Sequence, residues 1–383
     1  MSSPRLAAFI LGLIVLSCCA VAQAIPIPAP PQLAVRSYIL MDANSGQILA
    51  ASNPDQRTEP ASLTKLMTAY VVFHALKDGV IHLDDPITIS VKAWRMGGSR
   101  TFAKVGSQVS VENLIQGMVV QSGNDATVAL AEKVGGTEDT FVELMNKYAQ
   151  QLGMTNSHFV DASGLTDNPN HYVTAHDIAI LTRAIIREFP EYYHFFSEKE
   201  FTWNHISQRN RNDLLFTDPS VDGLKTGFTD DAGYCLVASA KRGDMRLIGV
   251  VTGAKHERDR AVYDEALLNY GFNFYDSRKL YDAGTGVAQL KVWKGSENSV
   301  PVGVAQDFVV TFPKGQYDHL NASVHSSAGV IAPIKAGQQV GSVTVTLDGK
   351  QVAEAPLYTL KAVPEGGIFT RMFDSIRLWF HKQ

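Results

Sequence analysis

The chain has 383 residues, room for two or three domains at roughly 150 residues each, and its 45% hydrophobic and 19% charged content suits packed cores rather than disorder. The formal charge is −4, and Arg5 is the only charge before Ala24, so beyond that stretch 33 basic residues face 38 acidic ones, a balance that argues against a nucleic-acid partner. Of the three cysteines only Cys235 lies outside the N-terminal apolar run, which excludes an internal disulfide framework and a cysteine-built zinc site.

Residues 1–24 read as an export signal. Arg5 is followed by an apolar run from Leu6 to Val21 and by Ala22-Gln23-Ala24, a small-x-small cleavage pattern. An uncleaved anchor and lipid attachment at Cys18 are the alternatives. A Pro-rich linker, residues 25–36, comes next. Residues 37–281 then begin with a predicted strand pair, Ser37 to Met41 and Gln47 to Ala51, around the turn chemistry of Asp42-Ala43-Asn44-Ser45-Gly46.

Helical patterns follow at Ala61 to Leu76, Val111 to Met118, Asp125 to Val134, Thr137 to Leu152 and Ile178 to Ile186. Strands return at Tyr234 to Ala240 and Arg246 to Thr252, joined by the hairpin turn Lys241-Arg242-Gly243-Asp244. Glu257 to Tyr270 is a further predicted helix. Strands at both ends with helices between them predict an α+β domain, an antiparallel sheet flanked by helices.

From Asp282 the pattern changes. Short β-like runs punctuated by Gly and Pro make residues 282–363 a smaller all-β domain. The last segment, 364–383, predicts an amphipathic helix. Ile368, Phe369, Met372, Phe373, Ile376, Trp379 and Phe380 share one face, cations occupy the other, and Leu378 is a misfit. Behind a Gly366-Gly367 hinge, such a helix is expected to lie in a membrane interface; it is too short to span a bilayer.

Three motifs carry chemistry: Ser62-Leu63-Thr64-Lys65, Ser122-Gly123-Asn124 and Lys225-Thr226-Gly227. Ser-x-x-Lys alone recurs by chance, but the three together, in this order and behind an export signal, do not. A serine at a helix mouth faces unpaired N–H groups and the positive dipole end. Lys65, one turn on, shares its face and could take its proton if burial and a second cation, such as Lys225, favour the neutral amine. Ser122 would pass a proton to the leaving amine, and Asn124 would donate to substrate.

Lys225-Thr226-Gly227 is placed on an edge strand beside the cleft. Lys225 and Thr226 would meet a carboxylate, and Gly227 would let substrate backbone approach. The backbone N–H groups of Ser62 and Phe228 are the expected oxyanion donors. Bland readings stand beside these: a surface helix start, a capped loop, an exposed strand. His171 and His176, near several aspartates, read as capping and surface-loop residues rather than metal ligands, and Arg258 and Arg260 could border the cleft, with a solvated charge cluster as the default. No metal or organic cofactor is called for.

The ordered motifs resemble those of the penicillin-binding protein and serine β-lactamase superfamily. More closely, the sequence is similar to low-molecular-mass, serine-type D-alanyl-D-alanine carboxypeptidases. Val221-Asp222-Gly223-Leu224 before the third motif, Asn210-Arg211-Asn212 upstream, and the terminal helix after Glu365-Gly366-Gly367 carry this closer likeness.

The resemblance implies removal of the terminal D-alanine from peptidoglycan stem pentapeptides through an acyl-enzyme on Ser62. It also implies covalent binding of β-lactams, Arg211 as a carboxylate contact, and a place at the periplasmic face of the inner membrane. Phe228 departs from the His often found there. The rivals are a β-lactamase and a non-catalytic wall-binding or β-lactam-binding module. Glu265-Ala266-Leu267-Leu268-Asn269 matches a β-lactamase string but follows the Lys-Thr-Gly motif instead of preceding it, so it reads as coincidence.

Overall fold

The structure, a computed structural model, describes residues 27–326 and 329–381. The signal-peptide and lipidation readings fall outside them. The first domain is built on a five-stranded antiparallel sheet. Its strands are β1 (Ser37–Asp42), β2 (Ile48–Ser52), β3 (Val221–Thr229), β4 (Gly233–Arg242) and β5 (Met245–Ala254), in the order β2-β1-β5-β4-β3. The N-terminal strands thus sit beside the C-terminal ones, as the α+β reading expected, and β3 is an edge.

Side chains alternate across the sheet. Ile39, Met41, Val237 and Val250 enter a core shared with helices α1 (Thr64–Lys77), α2 (Val111–Val119), α3 (Asn124–Gly135), α4 (Glu138–Leu152) and α5 (Ala175–Glu188). Leu40, Leu236 and Val251 enter a second core under α6 (Glu257–Phe274), against Leu267 and Leu268. The Thr174 side chain accepts from Asp177 N (3.1 Å) and starts α5.

The described part of the Pro-rich segment is not a free linker. Ile27, Leu33 and Val35 pack on the core under α6, and the Tyr270 hydroxyl donates to Pro28 O (3.0 Å). Its apolar residues gain burial there.

The second domain is all-β. Six strands form one sheet in the order Leu320–Ser326, Gln339–Leu347, Lys350–Thr359, Ser299–Val304, Gly286–Trp293, Val330–Ile331. Val292, Val302, Val345 and Leu357 lie in its core. The strand Tyr275–Tyr281 pairs with Phe308–Pro313, so sheet pairing of this domain begins directly after α6, ahead of the compositional change at Asp282.

The terminal helix spans Ile368–His381. Its apolar face is largely exposed, with Ile368 74% and Phe369 75% exposed. Of the two glycines before it, Gly366 is tied down and Gly367 has open space beside it. Gly366 N donates to Lys294 O (2.8 Å), and a Cβ on Gly366 would lie 2.5 Å from Gly295 O. Asp374 accepts from Lys294 N (2.6 Å). Leu378 is explained by the same face: it stands four residues beyond Asp374, and both are half-buried while their neighbours are exposed.

Candidate active site

Ser62 lies in a short 3-10 turn, Ala61–Leu63, that runs into α1. It is therefore one turn ahead of the α-helix rather than in it, and still at its positive end. The turn is strained. Ala61 has φ +47°, a left-handed conformation that costs an L-residue about 1–2 kcal/mol. Gly164 backs it: a Cβ there would lie 1.8 Å from Ala61 O, and Gly164 has φ +79°, so only glycine fits.

Lys65 is 1% exposed, and its Nζ reaches Ser62 Oγ at 3.0 Å and Ser163 O at 2.6 Å. Burial lowers its pKa to about 7; the Arg211 cation pushes the same way, while Asp161 and Asp125 oppose. Two cations therefore bear on Lys65: Arg211, and Lys225, with which its repulsion is mutual. Burial, Lys65, Arg211 and Arg260 together push Lys225 well below the ordinary lysine range. A neutral amine at pH 7 is what a base for Ser62 requires.

Ser122 follows α2 with φ +66°; it is buried, and its Oγ has no hydrogen-bond partner. An unpartnered buried hydroxyl is costly unless something is to meet it. Gly123 is the middle of the motif for a steric reason: a Cβ there would lie 2.2 Å from Thr101 Oγ1. Asn124 opens α3 but does not cap it; its amide donates to Gly97 O (2.8 Å), leaving Oδ1 without a partner. Asp125 pins the facing loop by accepting from Thr101 N (2.7 Å) and Ala103 N (3.2 Å).

On β3, Lys225 and Thr226 are buried beside the nucleophile turn, and Lys225 Nζ donates to Thr226 O (3.1 Å). Gly227 has a packing reason beside the close substrate approach expected of it. A Cβ there would lie 3.1 Å from Pro60 O and 3.4 Å from Ala61 Cβ, so the glycine makes room for the serine's own turn. Phe228 is 47% exposed and stacks on Tyr234, with ring centroids 4.2 Å apart.

A cleft of about 430 Å³ joins these parts. Ser62, Ser122, Asn124, Arg211, Thr226, Gly227 and Phe228 all line it. Arg211 is presented by a pinned loop: Asn210 Nδ2 donates to Glu198 O (2.9 Å) and Asn212 Nδ2 to Gly223 O (3.0 Å).

Arg260 takes the cleft position that the sequence offered beside its default of a solvated charge. It is 4% exposed, lines the cleft, pairs with Glu257 (2.9 Å) and donates to Arg211 O (3.3 Å). The signal that could have found it is α6 itself, whose first turns follow β5, in the sheet that carries β3. Tyr234, Leu165 and Gly98 also line the cleft and carry no motif. His171 is buried rather than a surface loop residue. The Glu265–Asn269 string is away from the cleft: Leu267 and Leu268 are core, and Asn269 accepts from Arg242 (3.0 Å). Among the described residues no cluster of three or more His, Cys, Asp or Glu could hold a metal.

A lysine-activated serine at a helix mouth, facing a Lys-Thr-Gly edge strand, defines a serine acyl-transfer enzyme of the penicillin-binding class. Residues 24–256 match the family model for D-alanyl-D-alanine carboxypeptidase, and residues 275–365 that for the penicillin-binding protein 5 C-terminal domain. The chain belongs to the D-alanyl-D-alanine carboxypeptidase family.

It is 47% identical over 351 residues to D-alanyl-D-alanine carboxypeptidase DacA of Haemophilus influenzae, covering 90% of this chain and 89% of that one. Its fold matches the crystal structure of penicillin-binding protein 5 from Haemophilus influenzae with a TM-score of 0.84 and 46% identity, over 88% of this chain and all of that one. Penicillin-binding protein D2 from Listeria monocytogenes, solved in an ampicillin-bound form, matches with a TM-score of 0.59 and 32% identity, over 64% of this chain and 100% of that one.

Proposed function

We propose that the enzyme removes the terminal D-alanine from peptidoglycan stem pentapeptides, with Ser62 as nucleophile and Lys65 as its base. The observation that carries this is the 3.0 Å Lys65 Nζ–Ser62 Oγ contact made by an amine whose pKa is lowered to about 7. Neutral Lys65 takes the Ser62 proton as Oγ attacks the penultimate D-alanine carbonyl. The Ser62 and Phe228 N–H groups, both on the cleft wall, hold the oxyanion.

Ser122, whose hydroxyl lacks a partner, passes the proton from Lys65 to the departing amine. Asn124 holds the substrate peptide through its side-chain amide. Lys225, Thr226 and Arg211 receive the terminal carboxylate, whose charge would restore the proton that burial makes costly for Lys225. Gly227 keeps the serine turn close to β3. Water then hydrolyses the acyl-enzyme. Penicillins acylate the same serine.

We also place the enzyme at the periplasmic face of the inner membrane, held by residues 366–383. The export pattern of residues 1–24 and the exposed Ile368, Phe369, Met372, Phe373 and Ile376 of the terminal helix support this. No helix among the described residues is long and apolar enough to cross a membrane.

The activity test is D-alanine release from a D-Ala-D-Ala pentapeptide. Stoichiometric release, lost in Ser62→Ala, is expected; no release at micromolar enzyme would contradict the reading. Slow turnover of a chromogenic cephalosporin separates it from a β-lactamase.

A further inference from the structure

The nucleophile turn is held by a buried chain of hydrogen bonds outside the three motifs. Val160 N donates to His171 Nδ1 (2.9 Å), so that nitrogen keeps its lone pair. The imidazole is then neutral, with its proton on Nε2. Nε2 faces Thr64 Oγ1 at 2.8 Å and donates to it. The Thr64 hydroxyl in turn donates to Ala61 O (2.8 Å). His171 and Thr64 are both buried, and the Phe159 ring meets the imidazole edge-on at 5.9 Å.

Ala61, at the end of this chain, is the residue with φ +47° directly before Ser62. Val160, at its start, belongs to the loop whose Ser163 carbonyl accepts from Lys65 Nζ (2.6 Å). The chain therefore ties the strained residue before the nucleophile to the loop that orients the base. Thr64 is the third residue of the Ser62–Lys65 motif, where the chemistry of the first and last residues gives it no part.

We propose that His171, acting through Thr64, is a positioning residue for acyl transfer. It holds the Ala61–Ser62 turn and the Lys65 acceptor loop in one register, so that Ser62 Oγ and Lys65 Nζ stay in reach of each other. Neither His171 nor Thr64 touches substrate. The inference rests on the proposed role of Ser62, and a misplacement of about 1 Å at a reacting atom costs on the order of 10²-fold in rate.

The test is stopped-flow acylation by a fluorescent penicillin, resolving the non-covalent dissociation constant from the acylation rate constant. Thr64→Val keeps shape and removes only the hydroxyl; its acylation rate constant is expected to fall on the order of 10²-fold with binding unchanged. His171→Leu should fall as far, and Thr64→Ser, which restores the hydroxyl, should return to near the wild-type rate. A Thr64→Val protein acylated at the wild-type rate constant, or a Thr64→Ser protein as slow as Thr64→Val, would overturn the inference. A wild-type protein that forms no adduct on Ser62 would remove the Ser62 reading itself, and this inference with it.

Discussion

In the proposed reaction Lys65 is the residue on which the chemistry turns, and its state is set by its surroundings. Burial makes its ammonium costly, and the lowered pKa of about 7 puts the neutral base within physiological range. Because the base form is the deprotonated one, acylation by penicillin should fall about tenfold per pH unit below that value and level off above it. A flat profile between pH 5 and pH 8 would contradict the assignment. Lys65→Arg should be inactive at every pH, since a guanidinium stays charged.

The motifs made Ser62, Lys65, Ser122 and Lys225 legible because their chemistry is tied to fixed spacing. The placement of Arg260 and His171 was not settled by sequence, because only the fold brings α6 and the 159–172 loop to the nucleophile. Asp264 is a further residue that no sequence pattern flags. It is buried under β4 and β5 with neither oxygen in a hydrogen bond, and burial raises its pKa well above the carboxylate range despite the nearby Ala238 N–H. A carboxyl whose folded pKa is raised favours the fold at low pH and loses that contribution as pH rises through the folded value. Wild-type stability relative to Asp264→Asn should therefore decline as pH rises above about 4; a constant difference in thermal midpoint would refute this.

At the scale of elements, the pieces of the site close on one another where glycines leave room for a neighbour. Gly164 admits Ala61 O, Gly123 admits Thr101, and Gly227 admits Pro60 and Ala61. Gly164→Ala combines a 1.8 Å approach to Ala61 O with φ +79°. It should cost about 3 kcal/mol or more and slow acylation; a wild-type thermal midpoint would contradict the packing described.

The long helices and the central hairpin could be read from sequence because apolar residues recur over many turns. Short pieces could not. Val91–Arg95 and the small ladders Pro86–Thr88 with Gln108–Ser110 and Glu200–Trp203 with Ile206–Arg209 are too brief to show a period. In the second domain Ser299–Val304 and Lys350–Thr359 contain Pro301 and Pro356, residues that argue against a strand, yet both pair within the sheet.

For the whole molecule, the acyl-transfer domain, the β-domain and the terminal helix form a linear series in the chain. The helix is fastened at its base by the Lys294 turn and presents Ile368, Phe369, Met372, Phe373, Ile376 and Trp379 outward. Deleting residues 366–383 should abolish sedimentation with anionic vesicles while leaving D-alanine release from a soluble peptide unchanged; an unchanged bound fraction would refute the anchor. The amphipathic pattern was legible, but the mount was not, since nothing in sequence pairs Asp374 with the backbone of Lys294.

The claim beneath all of this is that Ser62 becomes the acyl carrier because Lys65 accepts its proton. Mass spectrometry after penicillin treatment tests it most directly. The account predicts a single acyl adduct, mapped to Ser62, absent in Ser62→Ala and in Lys65→Ala. An adduct on another residue, or one formed as fast in Lys65→Ala as in the wild type, would contradict it.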